Sequence, residues 1–331
     1  MKNRTFLAAA MLAASLANAQ DNTLSDSLFM SFNQRFLLVY GQEGQDLSQY
    51  SNFGDLALAY SRDRQQVLLL DENHVVRDSF AAPTNPVSYA AMPPRFFVET
   101  PGRSFRFGPL ADGAMLRVWA EGGAWRHDAT EALPRALRGH SPRFFAGHEL
   151  LLTPLHDRPE RRGDSLLHQQ LLLRLAPRQT RVIYECLKPN ELGAMGAHYF
   201  GSGFGLAAAA TQMLLADPFA QTLSLLGADL GPTDRKAFAE LGIECAAAGH
   251  WRYARPLFNP VEGVFYLLTR PTDFHSLRLY RLRTSQGQIT GAAPVFELRE
   301  SWPEVSEVHG GKLYFSFRHA DGVYVFSAPL E

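Results

Sequence analysis

The sequence predicts an all-β protein built from one repeated unit, and three observations carry that prediction. A turn glycine followed by an apolar strand recurs at Gly54, Gly102, Gly147, Gly203, Gly263 and Gly311. A polar hairpin and a second apolar strand follow each of them. The composition, with 23 Phe and 11 Tyr, suits aromatic packing between sheets, while sustained helical periodicity is sparse. Recurrence at roughly 45 to 60 residues with four short strands per unit is the signature of a β-propeller, here a single propeller of six blades.

Taken in order, the chain begins with Lys2 and Arg4, an apolar run over residues 6–16, and the small residues Ala17 and Ala19. That is the pattern of a cleavable signal peptide, residues 1–19, cut after Ala19. The run is shorter than the roughly 20 apolar residues of a spanning helix. No cysteine lies beside the cut, so no lipid anchor is expected, and in a Gram-negative cell the destination is the periplasm. No later stretch is apolar enough to span a bilayer. Residues 20–331 form the propeller domain, expected to be a monomer. Loss of Lys2 and Arg4 takes the formal net charge from -1 to -3, a near-balanced surface that argues against nucleic acid, whose binding needs a concentrated basic footprint.

Residues 28–40, ending in Arg35-Phe-Leu-Leu-Val-Tyr40, read as a strand ahead of the first complete repeat. Since the last repeat stops at Glu331 after three strands at most, this N-terminal strand is expected to complete the final blade and close the ring, removing exposed edges. A seventh, degenerate N-terminal blade is the rival count. The glycine-led strands fall at 56–60, 104–107, 149–153, 206–210, 264–269 and 312–317. Their partners fall at 67–70, 114–119, 170–175, 222–226, 277–282 and 323–326. Pro-x-Phe precedes three of them, as Pro94-Arg95-Phe96, Pro142-Arg143-Phe144 and Pro256-Leu257-Phe258. Proline opens a strand without breaking its ladder, and glycine supplies the positive φ of a tight turn. Two repeats run longer. A charged loop, residues 156–164, extends the third, and in the fourth residues 232–242 read as a short helix from Thr233 to Gly242.

The fifth repeat, Pro256-Leu257-Phe258-Asn259-Pro260 with Gly263-Val264-Phe265-Tyr266 and then Leu279-Tyr280-Arg281-Leu282, resembles the WD40-like repeat of TolB-type periplasmic propellers. That pattern runs as proline, any residue, aromatic, a Ser-Pro-Asp-Gly turn, an apolar strand, and a second strand often carrying tyrosine. The aspartate of the turn is replaced here by Glu262, and elsewhere by Ala146 or Pro101. The resemblance implies a six-bladed periplasmic propeller that binds other proteins.

Each hairpin after a glycine-led strand carries an aspartate: Asp63, Asp112, Asp157, Asp217, Asp273 and Asp321. Two readings compete. Aspartate caps tight turns through its own backbone. Alternatively, the six form a polar ring on one face of the propeller, reinforced by Arg62, His156, Arg158, His275, Arg318 and His319, with Arg64, Arg161, Arg162 and His168 nearby. These residues are the candidate binding face.

Catalytic patterns are weak. Gly203-Phe-Gly205-Leu-Ala-Ala208 fits a dinucleotide fingerprint formally, but its glycines fall where the repeat already needs a turn and no βαβ unit surrounds it. His140, His148, His156 and His168 match no compact metal-ligand spacing. No Gly-x-Ser-x-Gly elbow is present. No cofactor or metal is expected. Cys186 and Cys245 occupy matching places in successive repeats, and the sequence leaves their pairing open. The functional expectation is therefore a non-enzymatic binding or scaffolding protein for a protein or peptide partner in the cell envelope. The alternatives are a hydrolase or lyase acting on a sugar, lactone or peptide at the channel mouth, and a small-ligand sensor.

Overall fold

The computed structural model describes residues 25–41, 47–52, 56–84, 94–100, 104–121, 124–130, 140–153, 159–175, 180–190, 203–246, 252–271, 276–299, 304–319 and 322–330. Residues 1–19, the expected signal peptide, lie outside them. The described chain opens with a helix, α1 (Asp26–Arg35), and a strand, β1 (Leu37–Gly41). Antiparallel sheets then succeed one another along the chain. Sheet 1 holds β2 (Leu47–Asn52), β3 (Leu56–Ser61), β4 (Gln66–Asp71) and β5 (Val76–Ala81). Sheet 2 holds β6 (Arg95–Thr100), β7 (Ser104–Gly108), β8 (Leu116–Glu121) and β9 (Ala124–Ala129). Sheet 3 runs β10 (Ser141–Phe145), β11 (His148–Leu152), β13 (Ser165–Arg174) and β14 (Arg181–Pro189), with β12 (Glu160–Arg162) as a short arm on β13. Sheet 4 holds β15 (Gly205–Ala208), β16 (Met213–Asp217), β17 (Thr222–Leu226) and β18 (Pro232–Ala237). Sheet 5 holds β19 (Ala254–Asn259), β20 (Val264–Thr269), β21 (Leu277–Ser285) and β22 (Gln288–Leu298). Sheet 6 takes β23 (Glu304–His309), β24 (Lys312–His319) and β25 (Gly322–Pro329), and its fourth strand is β1. Leu37 stands opposite Ser327 and Gly41 opposite Tyr324, so the N-terminal strand completes the last sheet.

The chain divides into two compact units: one gathers α1 with sheets 1 and 6, the other sheets 2 to 5. Among the described residues no helix is long and apolar enough to cross a membrane.

Burial explains the strand sequences. The second strands of sheets 1 and 4 are covered on both faces, so they read as apolar runs rather than as a polar–apolar alternation. Residues 56–61 of β3 and 213–217 of β16 are buried at every position. Outer strands read differently: β5 (VRDSFA) and β9 (AWRHDA) are almost wholly exposed, and their charges blunt an edge that would otherwise recruit another strand. Between sheets 3 and 4, Phe145, Leu150, Leu172, Phe204, Met213 and Leu215 interdigitate. Between sheets 4 and 5, Leu214, Leu223, Leu225, Phe265, Leu267 and Tyr280 do the same. In the other unit, Ala57, Ala59, Leu68 and Leu70 of sheet 1 pack on Val325 of sheet 6.

Three expectations are corrected. Residues 28–35 of the stretch expected as strand belong to helix α1, because Phe29, Phe32 and Phe36 recur at helical spacing and find aromatic partners on sheet 6. Asp26 at the start and Arg35 at the end suit the helix dipole. Residues 232–237 of the expected helix form β18 instead. Thr233 donates its hydroxyl to the Leu225 carbonyl and the backbone pairs along β17, so the ladder overrides the cap-like sequence. Only a 3-10 turn, Ala239–Leu241, remains, closed by Gly242 at φ 66°. Finally, Gly203 precedes the first strand of sheet 4, whereas Gly263 occupies the turn between first and second strands at φ 67°, as the repeat requires. The first strand of sheet 4 is β15, and β16, unread in the sequence, is its second.

Candidate functional site

The hairpins that join second to third strands carry the sequence-predicted residues. In the unit of sheets 1 and 6, Arg62 and Asp63 lie in the turn between β3 and β4, closed by the Gln65 amide donating to the Arg62 carbonyl. His319 ends β24. Its Nε2 lies 3.0 Å from an Asp26 carboxylate oxygen, and its ring stacks on Phe29 at 4.6 Å, so it serves to seat α1. Arg318 belongs to β24, opposite Val323. In the other unit, Asp112 lies between β7 and β8, where its carboxylate accepts the Ala114 amide at 2.8 Å. Asp217 closes β16. His156, Asp157, Arg158, Asp273, His275 and Asp321 lie outside the described residues.

Asp217 is the most elaborated of these positions. Only 3% exposed, it accepts the amides of Phe219 and Ala220 at 2.8 Å on one oxygen and the Tyr184 hydroxyl at 3.0 Å on the other. The register of β13 and β14 sets this up. His168 opposite Lys188, Gln170 opposite Cys186 and Leu172 opposite Tyr184 are spaced by two, so all six share the face turned toward sheet 4. Burial, then the Asp217 charge, pushes both the Tyr184 hydroxyl and the Cys186 thiol well above their ordinary range, so each stays protonated and donates to the carboxylate. Gln170 accepts the Gly203 amide at 2.7 Å and donates to the Thr153 carbonyl at 3.0 Å. A Cβ on Gly203 would meet Gln170 Oε1 at 2.8 Å and Cys186 Sγ at 2.9 Å, which is what this glycine is for. Beside the network, the Phe219 ring lies between the Lys188 ammonium at 5.5 Å and the Arg252 guanidinium at 5.4 Å.

Both cysteines are free and buried, which settles the pairing the sequence left open. The Cys245 thiol donates to the Tyr253 carbonyl at 3.4 Å. His168, 1% exposed, bonds Asn190 at 3.0 Å. Among the described residues no three His, Cys, Asp or Glu side chains gather as metal ligands. The Gly203–Ala208 segment enters strand β15 with β16 after it, so no helix follows these glycines as a dinucleotide site requires.

A second grouping was missed in the sequence. Arg95 and Arg143 are the middle residues of two Pro-x-Phe segments, on the first strands of sheets 2 and 3. Those strands run close together, with the Arg143 guanidinium 4.9 Å from the centre of the Phe97 ring and Arg106 of β7 4.1 Å from the centre of Phe144. Arg255 comes from β19, the first strand of sheet 5. The β15 and β19 backbones approach so tightly that a Cβ on Gly205 would lie 2.5 Å from Pro256 Cδ and 2.8 Å from the Ala254 carbonyl oxygen. Arg95 and Arg255 both lie within electrostatic range of Arg143, which is densely surrounded yet keeps a partly exposed surface. Burial, then repulsion from Arg95 and Arg255, lowers the Arg143 guanidinium to about 10, which still leaves it cationic at neutral pH. The recurrence of arginine at the same place in two repeats was the available signal.

No family model matches this chain, and no curated protein does. Solved structures similar to it include the β-propeller domain of Cps50 (Swd1) from Myceliophteria thermophila, with 11% identity over 86% of this chain and 84% of that one, TM-score 0.41. Streptogramin B lyase is similar at 11% identity over 89% and 87%, TM-score 0.42. A calcium-binding protein, regucalcin, from Agrobacterium tumefaciens is similar at 9% identity over 89% and 95%, TM-score 0.44.

Proposed function

We propose that the protein is an exported, monomeric six-bladed β-propeller of the periplasm, released by cleavage after Ala19, that binds a protein or peptide partner through its second-to-third-strand hairpins. Six successive sheets of the same hairpin order support the propeller, and the pairing of β1 with β25 supports closure of its ring by the N-terminal strand. The observation that carries binding over turnover is the use made of the hairpin carboxylates. Asp112 caps its own turn, and Asp217 accepts from two amides, a phenol and a thiol. Carboxylates engaged in this way stiffen hairpin tips, and a rigid polar surface suits recognition, in which pre-ordered groups lose less entropy on docking. The rival hydrolase or lyase requires a cluster of carboxylates and histidines on the channel axis.

Site-specific photo-crosslinking in the periplasm tests this reading. A crosslinking side chain at Asp63 or Asp112 is expected to trap one discrete partner, whereas the same group at Val261, exposed in the first-to-second-strand turn of sheet 5, traps none. Equal adducts from all three positions, or from none, would defeat it.

A further inference from the structure

We propose that Trp119, with Arg117, Glu121, Arg126 and Asp128 around it, forms a platform for a neutral saccharide on the outer strands of sheet 2. The platform is separate from the hairpin tips and takes a sugar rather than a protein. Register builds it. In the antiparallel pair β8 and β9, Arg117 stands opposite Asp128, Trp119 opposite Arg126 and Glu121 opposite Ala124, so all of them share one face of the sheet. Arg106 of β7, opposite Arg117, belongs to the same face and reaches sheet 3, where Glu149 lies at 3.9 Å and the centre of the Phe144 ring at 4.1 Å. The face is therefore closed by sheet 3 at β7 and opens outward at β8 and β9. There Arg117, Glu121, Arg126 and Asp128 are exposed, and Trp119 is partly so. The indole is also held in place. Glu99 bridges Arg106 at 2.8 Å and Arg117 at 2.7 Å, and the Arg117 guanidinium lies 5.5 Å from the centre of the Trp119 ring. A ring fixed in advance loses less entropy when a ligand covers it. Its neighbours Ser104, directly opposite on β7, and Ala124, diagonal on β9, are small and leave room beside it.

The chemistry of the face matches a sugar on two counts. A pyranose shows C–H groups on a flat side, which an indole covers, and hydroxyls at its rim, each of which both donates and accepts. Around Trp119 the platform offers both roles, with Arg117 and Arg126 as donors and Glu121 and Asp128 as acceptors. Charge then excludes ionic ligands. Arg106, Arg117 and Arg126 are matched by Glu99, Glu121 and Asp128, so neither an anion nor a cation meets a surface of opposite sign. The Arg126–Glu121 pair, 3.7 Å apart with both side chains well exposed, is held loosely enough in water for each partner to turn to a hydroxyl.

Calorimetric titration of the whole protein with cellotriose, maltotriose and triacetylchitotriose, and with trigalacturonate as an anionic counterpart, tests the proposal. Saturable one-to-one binding of at least one neutral probe is expected, tighter than that of trigalacturonate. Trp119→Ala is expected to weaken it by roughly tenfold or more, and Trp119→Phe to weaken it less, keeping an aromatic face of smaller area. Asp128→Asn should also weaken it, since the amide accepts less strongly than the carboxylate. Trp125→Phe should change nothing, because Trp125 stands opposite Ala120 on the other face of the sheet, 6.0 Å from Phe105. Thermal unfolding of each variant verifies its fold, and should Trp119→Ala not fold, Trp119→Phe and Asp128→Asn decide. Absence of binding to all three neutral probes, tighter binding of trigalacturonate, or equal affinity in wild type and the folded Trp119 and Asp128 variants overturns the platform. None of these results bears on the crosslinking of the hairpin tips, so the two proposals fail separately.

Discussion

Asp217 shows how one residue joins the repeat to its chemistry. Its place in the hairpin was legible, because aspartate favours turns and the repeat fixes where turns fall. Its partners were not, since Tyr184 and Cys186 are brought to it only by the register of a neighbouring sheet. Arg95 and Arg143 failed to stand out for a related reason: the middle residue of Pro-x-Phe reads as a spacer until the first strands are set side by side. The Asp217 network makes a pH prediction. Tyr184 and Cys186 titrate above their ordinary values of 10.0 and 9.0 in the folded protein, burial being the largest cause for each. A group with a raised folded pKa adds stability that is complete below its unfolded value and is lost as pH rises through the window above it. The urea midpoint should therefore hold from pH 7 to 8 and fall above about pH 9, with Cys186→Ala flattening the first part of the fall. At neutral pH, Asp217→Ala should cost about 3 kcal/mol or more in urea unfolding, because amides and a phenol lose their acceptor together.

At the scale of elements, the sequence reveals strands that are buried on both faces and hides those that are not. Residues 67–70 of β4 and 265–269 of β20 stand out as apolar runs because they are buried at every position. β18 (PTDRKA) carries no such signal, and its proline, threonine and acidic residue imitate a helix start until β17 offers it a ladder. α1 misled in the opposite sense, its phenylalanines suggesting a strand when their spacing fits a helix lying on sheet 6. Phe32 is fully buried, stacked on Phe317 at 4.8 Å and 5.7 Å from Phe36. Phe32→Ala should cost about 3–5 kcal/mol, the range for an aromatic deletion that leaves a cavity, as measured by chemical denaturation. A cost near zero would mean that α1 contributes nothing to the fold of sheet 6.

At the scale of the whole molecule, the joining of the two ends of the chain is the feature with most consequence. β1 gives β25 its outer partner, and β25 in turn holds Val325 against Ala57, Ala59, Leu68 and Leu70 of sheet 1. Without β1 the polar backbone groups of β25 would face solvent along an apolar strand, VYVFSA, and such an edge templates pairing with another chain. Shortened forms separate the strand from the helix. A chain beginning at residue 36 keeps β1 and lacks α1, so it should be less stable yet remain monomeric in light scattering coupled to size exclusion. A chain beginning at residue 42 lacks both, and should form dimers or larger species through the bared edge of β25. Monomeric behaviour of the chain beginning at residue 42 would show that β1 is not what protects this edge, and would remove the support that its pairing lends to a ring closed by the N-terminal strand.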